Sequence, residues 1–322
     1  MPVQHELSAD RIRAARRLID PVFLDTPLLA DPGLDRELGF ALHLKLETEN
    51  PIRSFKGRGT GLFVATELAA GVAVVAASAG NFGQGLAYNA GRRSHSVTIF
   101  AADGANTAKI EAMRRFGAEV VIGGADFDAA KALARSHAER HGQVFVEDGA
   151  SAAIAEGAGT IAAEITDAIG SVDAVLVPLG NGALATGVGC WLKAVSPATR
   201  VIAVAAERAP CMALSWRAGR VVPTATADTI GDGIAVRLPV PFALASMRST
   251  IDDVLLVSDQ DLLAAMHFAH DRIGRLIEPA GAAGLAGLLR HRADFAGRRV
   301  ATVLCGANLT ARQIEAWFGA GA

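Results

Sequence analysis

Short apolar runs rich in Val, Ile and Leu alternate along the chain with longer Ala-rich stretches whose apolar positions recur at helical spacing. That alternation is the pattern of βαβ units on a parallel sheet. Nine runs read as strands, at residues 42–46, 72–76, 97–100, 119–122, 144–145, 174–179, 201–205, 254–257 and 300–304. Most are continuously apolar, as strands covered on both faces should be. Ten stretches read as helices, at 9–19, 56–70, 83–91, 107–116, 127–141, 158–169, 183–194, 259–272, 280–290 and 311–318. Ser8 predicts an N-cap, and Gly91, Gly117 and Gly142 predict C-caps. The polar segment 217–229, carrying Pro223, predicts an excursion from the sheet.

Composition narrows the class. The 322 residues suffice for about two domains. Hydrophobic residues make up 51% and aromatics only 5%, so a large aliphatic core is expected. A formal charge of −2 lacks the basic excess that nucleic acid requires. No apolar run has the length of a membrane span, and the first residues carry charge throughout, unlike a secretory signal. The three cysteines are scattered and odd in number, against a disulfide framework. Cytoplasm is the expected compartment.

Three turns at strand ends carry unusual chemistry. Ser78-Ala79-Gly80-Asn81-Phe82 follows a strand and opens a helix, a ready site for a carboxylate or phosphate. Gly180-Asn181-Gly182-Ala183-Leu184-Ala185 fits the dinucleotide fingerprint, and Glu207 after the next strand stands where a ribose-binding acid would. A nicotinamide oxidoreductase is therefore the rival class. The third turn holds Cys305 beside Gly306. Lys56 separates the classes: a lysine opening a helix opposes the dipole, and a depressed pKa would let it form a Schiff base and act as a base. Together with a phosphate turn and a carboxylate turn, it describes a pyridoxal phosphate enzyme acting on amino acids.

The ordered motifs Asp25-Thr26-Pro27-Leu28, Lys45-Leu46-Glu47, Ser54-Phe55-Lys56, Ser78-Ala79-Gly80-Asn81, residues 177–184, Asp232-Gly233-Ile234-Ala235-Val236, Glu278-Pro279-Ala280-Gly281 and Cys305-Gly306-Ala307-Asn308 carry a resemblance. The chain resembles the fold type II pyridoxal phosphate enzymes (tryptophan synthase β-like), in the serine/threonine dehydratase and serine racemase branch. The resemblance implies two three-layer α/β domains with the cofactor in the cleft. Residues 1–71 plus 150–322 would form the large domain and 72–149 a small inserted one. It also implies that Lys56 is the internal aldimine and then the base at Cα, with Phe55 beside the pyridine ring. Asn81 would bond the phenolic oxygen, and Ser78, Ala79, Gly80, Asn81 and Phe82 would bind the substrate carboxylate. Gly180, Asn181, Gly182, Ala183 and Leu184 would cradle the phosphate, Gly233 and Glu278 would line the site, and Cys305 would face the ring nitrogen. A thiol there holds the ring proton poorly, which favours β-elimination over transamination. The implied partners are a small amino acid and a second copy in a homodimer.

Departures from the family pattern refine the expectation. Ala79 stands where racemases of this branch carry a second acid/base, which favours a dehydratase of L-serine, L-threonine or a related β-hydroxy amino acid. Asn50-Pro51 resembles the β-replacement synthases of the same fold, and a synthase is the alternative reading. Glu207 matches one ligand of the family's divalent cation, but Ala213 replaces the expected Asp, which argues against a metal. The chain ends shortly after Asn308, so no regulatory C-terminal domain is expected.

Overall fold

The computed structural model describes residues 6–105 and 107–319. Its strands are, in chain order, β1 (Leu28–Ala30), β2 (Ala41–Leu46), β3 (Val74–Ala77), β4 (Val97–Ala101), β5 (Glu119–Ile122), β6 (Val144–Phe145), β7 (Ala174–Pro178), β8 (Arg200–Ala206), β9 (Asp253–Val257) and β10 (Arg299–Leu304). Six of them form one sheet in the order β1-β2-β10-β7-β8-β9, parallel except for β1. The other four form an all-parallel sheet ordered β5-β4-β3-β6. No helix among the described residues is long and apolar enough to cross a membrane.

Helices cover both faces of the larger sheet, and the central strands show it residue by residue. Val175 and Val177 of β7 join a core with the helices Ala152–Ile169 and Ala183–Val195. Ala174 and Leu176 join a second core with the helices Asp259–Ile273 and Pro279–Arg290. The two-residue alternation of a strand thus supplies both cores, so a continuously apolar run is required. The smaller sheet repeats this with Val74 and Ala76 on one side and Val75 and Ala77 on the other.

The nine expected strands are present, those at 119–122 and 144–145 with the expected ends and the other seven with ends shifted by one or two residues. The structure adds β1, a three-residue edge strand between Pro27 and Asp31 that is too short for periodicity to reveal. It also adds three helices, Pro32–Leu38, Cys211–Ala218 and Pro241–Thr250. Two of these begin on proline, which is favoured at a first helical position because that residue has no intrahelical bond to donate. The helix expected from 158 starts earlier, at Ala152, where Ser151 Oγ accepts the Ile154 N–H. Ser8 and Gly142 cap as expected. Gly91 does not: it lies inside the helix Asn81–Gly91, and the positive φ of the turn falls on Ser94 at 60°.

A fully buried ion network ties four segments together. Arg58, 0% exposed, donates from Nε to Glu47 at 2.7 Å and from Nη2 to Glu47 at 2.8 Å and Glu164 at 2.8 Å. Lys45 Nζ lies 2.6 Å from Glu164, and Thr26 Oγ1 donates to Glu47 at 2.6 Å. Two cations face two carboxylates, so the cluster is neutral. Burial alone would raise the Glu164 carboxyl, but the hydrogen bonds and charge of Arg58, joined by Lys45, hold it at about 2. Its stabilisation is present above about pH 4.5 and is lost as pH falls toward 2. Arg58→Met leaves both glutamates without their fork. Urea unfolding of that variant should show a loss of about 3–5 kcal/mol; a loss below about 1 kcal/mol contradicts the assignment.

Candidate active site

The carboxyl ends of β3, β6, β7 and β10 face one cavity of about 530 Å³, where open parallel sheets place their ligands. Lys56 opens the helix Lys56–Glu67 at its wall. The residues before it are stitched to the end of β10. Ser54 pairs with Gly306, the Phe55 N–H donates to the Cys305 carbonyl at 3.1 Å, and the Ala307 N–H donates to the Arg53 carbonyl at 3.0 Å. Asn50 holds the turn by donating to the Glu47 carbonyl at 2.9 Å and the Ser54 carbonyl at 3.1 Å, a structural use of the residue that suggested a synthase. Lys56 Nζ is ion-paired with Asp148 and lies 4.6 Å from the centre of the Phe55 ring.

The two anion turns open on the same cavity. Gly182 starts the helix Ala183–Val195 with φ of 102°, and a Cβ there would meet Ala243 Cβ at 2.7 Å. A Cβ on Gly180 would meet the Gly233 carbonyl at 2.6 Å. Bare backbone is therefore required at both positions, which leaves N–H groups at a helix N-terminus for an anion. In the 78–82 loop, Ser78 Oγ accepts the N–H of Gly80 at 3.2 Å and of Gly83 at 3.0 Å. Asn81 Nδ2 donates to Glu278 at 2.6 Å, and its Oδ1 accepts from Asn308 at 2.7 Å. That leaves the second Nδ2 hydrogen of Asn81 for a ligand.

Cys305 directly follows β10 against the cavity, and burial, with Glu278, pushes its thiol far up, so it stays neutral. Cys211 is buried, but Cys190 is only half-buried; burial pushes each of these thiols up to about 11.

Every site residue expected from the sequence lines this cavity except two. Ala183, 1% exposed, packs into the core beneath the smaller sheet. Glu207 is half-exposed and pairs with Arg290 at 3.2 Å, away from the turn it would serve in a nicotinamide site. No cluster of potential metal ligands occurs among the described residues. The structure adds cavity residues that the sequence did not single out: Asp148, Lys109, which pairs with Asp232 of the 232–236 motif, and the Arg237–Asp128 pair. Their only signal is position, since Asp148 follows β6 at its carboxyl end.

Residues 19–306 match the family model described as pyridoxal-phosphate dependent enzyme. The chain belongs to this family. It is 33% identical over 290 residues to a biosynthetic L-threonine dehydratase of Pasteurella multocida, an alignment covering 88% of this chain and 56% of the relative. The chain thus spans about half the length of the first curated relatives it matches. An L-threo-3-hydroxyaspartate ammonia-lyase of a Pseudomonas species is 32% identical, with 93% and 94% covered. The solved structure of a processed threonine deaminase, isoform 2 of Solanum lycopersicum, superposes with a TM-score of 0.88 at 29% identity, covering 97% of this chain and 94% of that one.

The cavity fits the family's cofactor. It offers the Lys56 amine at a helix start, a backbone cradle that any Cβ at Gly180 or Gly182 would fill, and a neutral thiol at Cys305. Burial, then the Asp232 carboxylate, pushes the Glu278 carboxyl up to about 7, against the pull of Lys109, the Asn308 N–H and Asn81. Between about pH 4.5 and 7 the folded chain therefore keeps a proton that the unfolded chain has released. Stability of the cofactor-free protein should fall as pH rises through that window, by a few kcal/mol at most. Unfolding curves of wild type and Glu278→Gln from about pH 4.5 to 8 check this: the variant should lack that component, and identical slopes contradict it.

Proposed function

We propose that the chain is a pyridoxal phosphate-dependent ammonia-lyase that converts L-threonine, L-serine or a related β-hydroxy amino acid to a 2-oxo acid and ammonia. The observation that carries this reading is the shared cavity. Lys56, the 78–82 loop, the 180–184 turn and Cys305 all face it, while Ala79 stands in the carboxylate loop without an ionisable side chain. The bound cofactor supplies an aldehyde for the substrate amine and a conjugated ring that withdraws electrons from Cα. The residues of the chain supply the rest. The N–H groups of the 78–82 loop would hold the substrate carboxylate, and those of the 180–184 turn would hold the cofactor phosphate with the helix dipole behind them. Phe55, at the cavity wall, would pack beside the ring. Lys56 would hold the cofactor, and its freed amine would take the Cα proton.

The neutral Cys305 thiol would be a weak partner for the ring nitrogen, which favours loss of the β-hydroxyl over transamination. Ala79 cannot return a proton from the opposite face, which disfavours racemisation. Residues 72–149 act as a small domain that closes on the carboxylate and excludes water. A homodimer belongs to this reading through the family resemblance, a cytoplasmic location through the charged first residues and scattered cysteines, and the absence of a required metal through Ala213 in place of the family's Asp.

Purified, cofactor-loaded protein should release 2-oxo acid from at least one of L-Ser, L-Thr or L-threo-3-hydroxyaspartate and not from the D-forms of serine and threonine. Lys56→Ala should lower kcat by at least about 10³-fold. Full activity in that variant, or no 2-oxo acid from any of them, overturns the proposal.

A further inference from the structure

Four cations line the cavity wall, and each is ion-paired. Lys109 pairs with Asp232, Arg237 with Asp128, Lys131 with Glu147 at 3.0 Å, and Lys56 with Asp148. Three of them place no demand on the reacting lysine. The fourth does, because the cation that balances Asp148 is the nitrogen that must be unprotonated to take the Cα proton. Asp148 Oδ1 is buried and has no hydrogen-bond partner among the described residues. When Lys56 works as a base, Asp148 therefore keeps a carboxylate with one oxygen unpartnered and the other without its cation.

We propose that Asp148 is a specificity-determining residue that accepts a hydrogen bond from a donor on the substrate β-carbon and repels an anionic β-substituent. The inference rests on the proposed elimination for its choice of substrate, and it deepens that reading. The reach is set by Lys56, whose nitrogen must approach Cα and already touches Asp148. Two hydrogen-bond lengths of about 3 Å each bring the carboxylate within about 6 Å of Cα, level with the β-substituent. A hydroxyl there gives the unpartnered oxygen its missing donor. A second carboxylate finds like charge instead, and each cation at the wall already faces an acidic partner. The substrate class is therefore β-hydroxy amino acids with an uncharged side chain, such as serine and threonine, and not 3-hydroxyaspartate.

The test reads binding separately from elimination. Cofactor-loaded protein is titrated with L-alanine and with L-aspartate, neither of which has a β-leaving group, and the shift in cofactor absorption gives each Kd. Wild type should bind L-aspartate at least about tenfold more weakly than L-alanine. Asp148→Asn and Asp148→Ser should each close that gap by tightening L-aspartate, and should raise kcat/KM on L-threo-3-hydroxyaspartate relative to L-threonine by a similar factor. Equal binding in wild type, an unchanged ratio in both variants, or no spectral response to either amino acid overturns the proposal. If no amino acid yields 2-oxo acid while the binding ratios behave as stated, the elimination reading falls and the charge selection at Asp148 stands.

Discussion

A guanidinium with no access to water is the constraint on which this molecule depends. Arg58 is enclosed by Glu47, Glu164, Thr26 and Thr160, with Lys45 supplying the second cation. Any one of these charges buried alone would be strongly destabilising, so the segments that contribute them must assemble together or not at all. Those segments are the loop before β1, the strand β2 with its following turn, the helix Lys56–Glu67 and the helix Ala152–Ile169. Lys56 lies two residues before Arg58 on the same helix. The network that fixes the helix therefore fixes the amine, and the bonds from Ser54 and Phe55 to the end of β10 fix it from the other side.

The second requirement is that two sheets point their carboxyl ends at each other. Residues of the smaller sheet's connections meet residues of the larger part through charge: Asp148 with Lys56, Lys109 with Asp232, Asp128 with Arg237. Asn81 meets Glu278 through a hydrogen bond. Each such contact places a polar group at the cavity wall already partnered, which keeps a chamber of this size polar in places without leaving lone buried charges. The exceptions carry the chemistry. Glu278 holds its proton far above the ordinary range, Cys305 stays a thiol, and Asp148 has an oxygen without a donor.

Much of this was legible in the chain because it is local. Strands buried on both faces announce themselves by continuous apolar runs, and β7 with its 180–184 turn is visible for that reason. Lys56 was legible from its place at a helix start. What stayed hidden was short or distant. The strand β1 has three residues, and the helices starting at Pro32 and Pro241 begin on a residue that reads as a breaker. The Arg58 network joins positions 26, 45, 47, 58, 160 and 164, and nothing in a single chain pairs an arginine with a glutamate 106 residues away. Asp148 was hidden in the same way, since only the parallel pairing of β3 with β6 brings it to Lys56. Ala183 shows the opposite error: it belongs to the phosphate turn by motif, yet its side chain packs into the core, because a helix start presents only its N–H to an anion.

The central claim is that Lys56 carries the cofactor. The chain has only five lysines, at positions 45, 56, 109, 131 and 193, and three of them line the cavity. Borohydride reduction of the pyridoxal phosphate-loaded protein, followed by digestion and mass analysis, reads the answer directly. A single reduced adduct is expected, on the peptide containing Lys56. An adduct on Lys109 or Lys131, or none in a protein that binds a nicotinamide nucleotide instead, would contradict it.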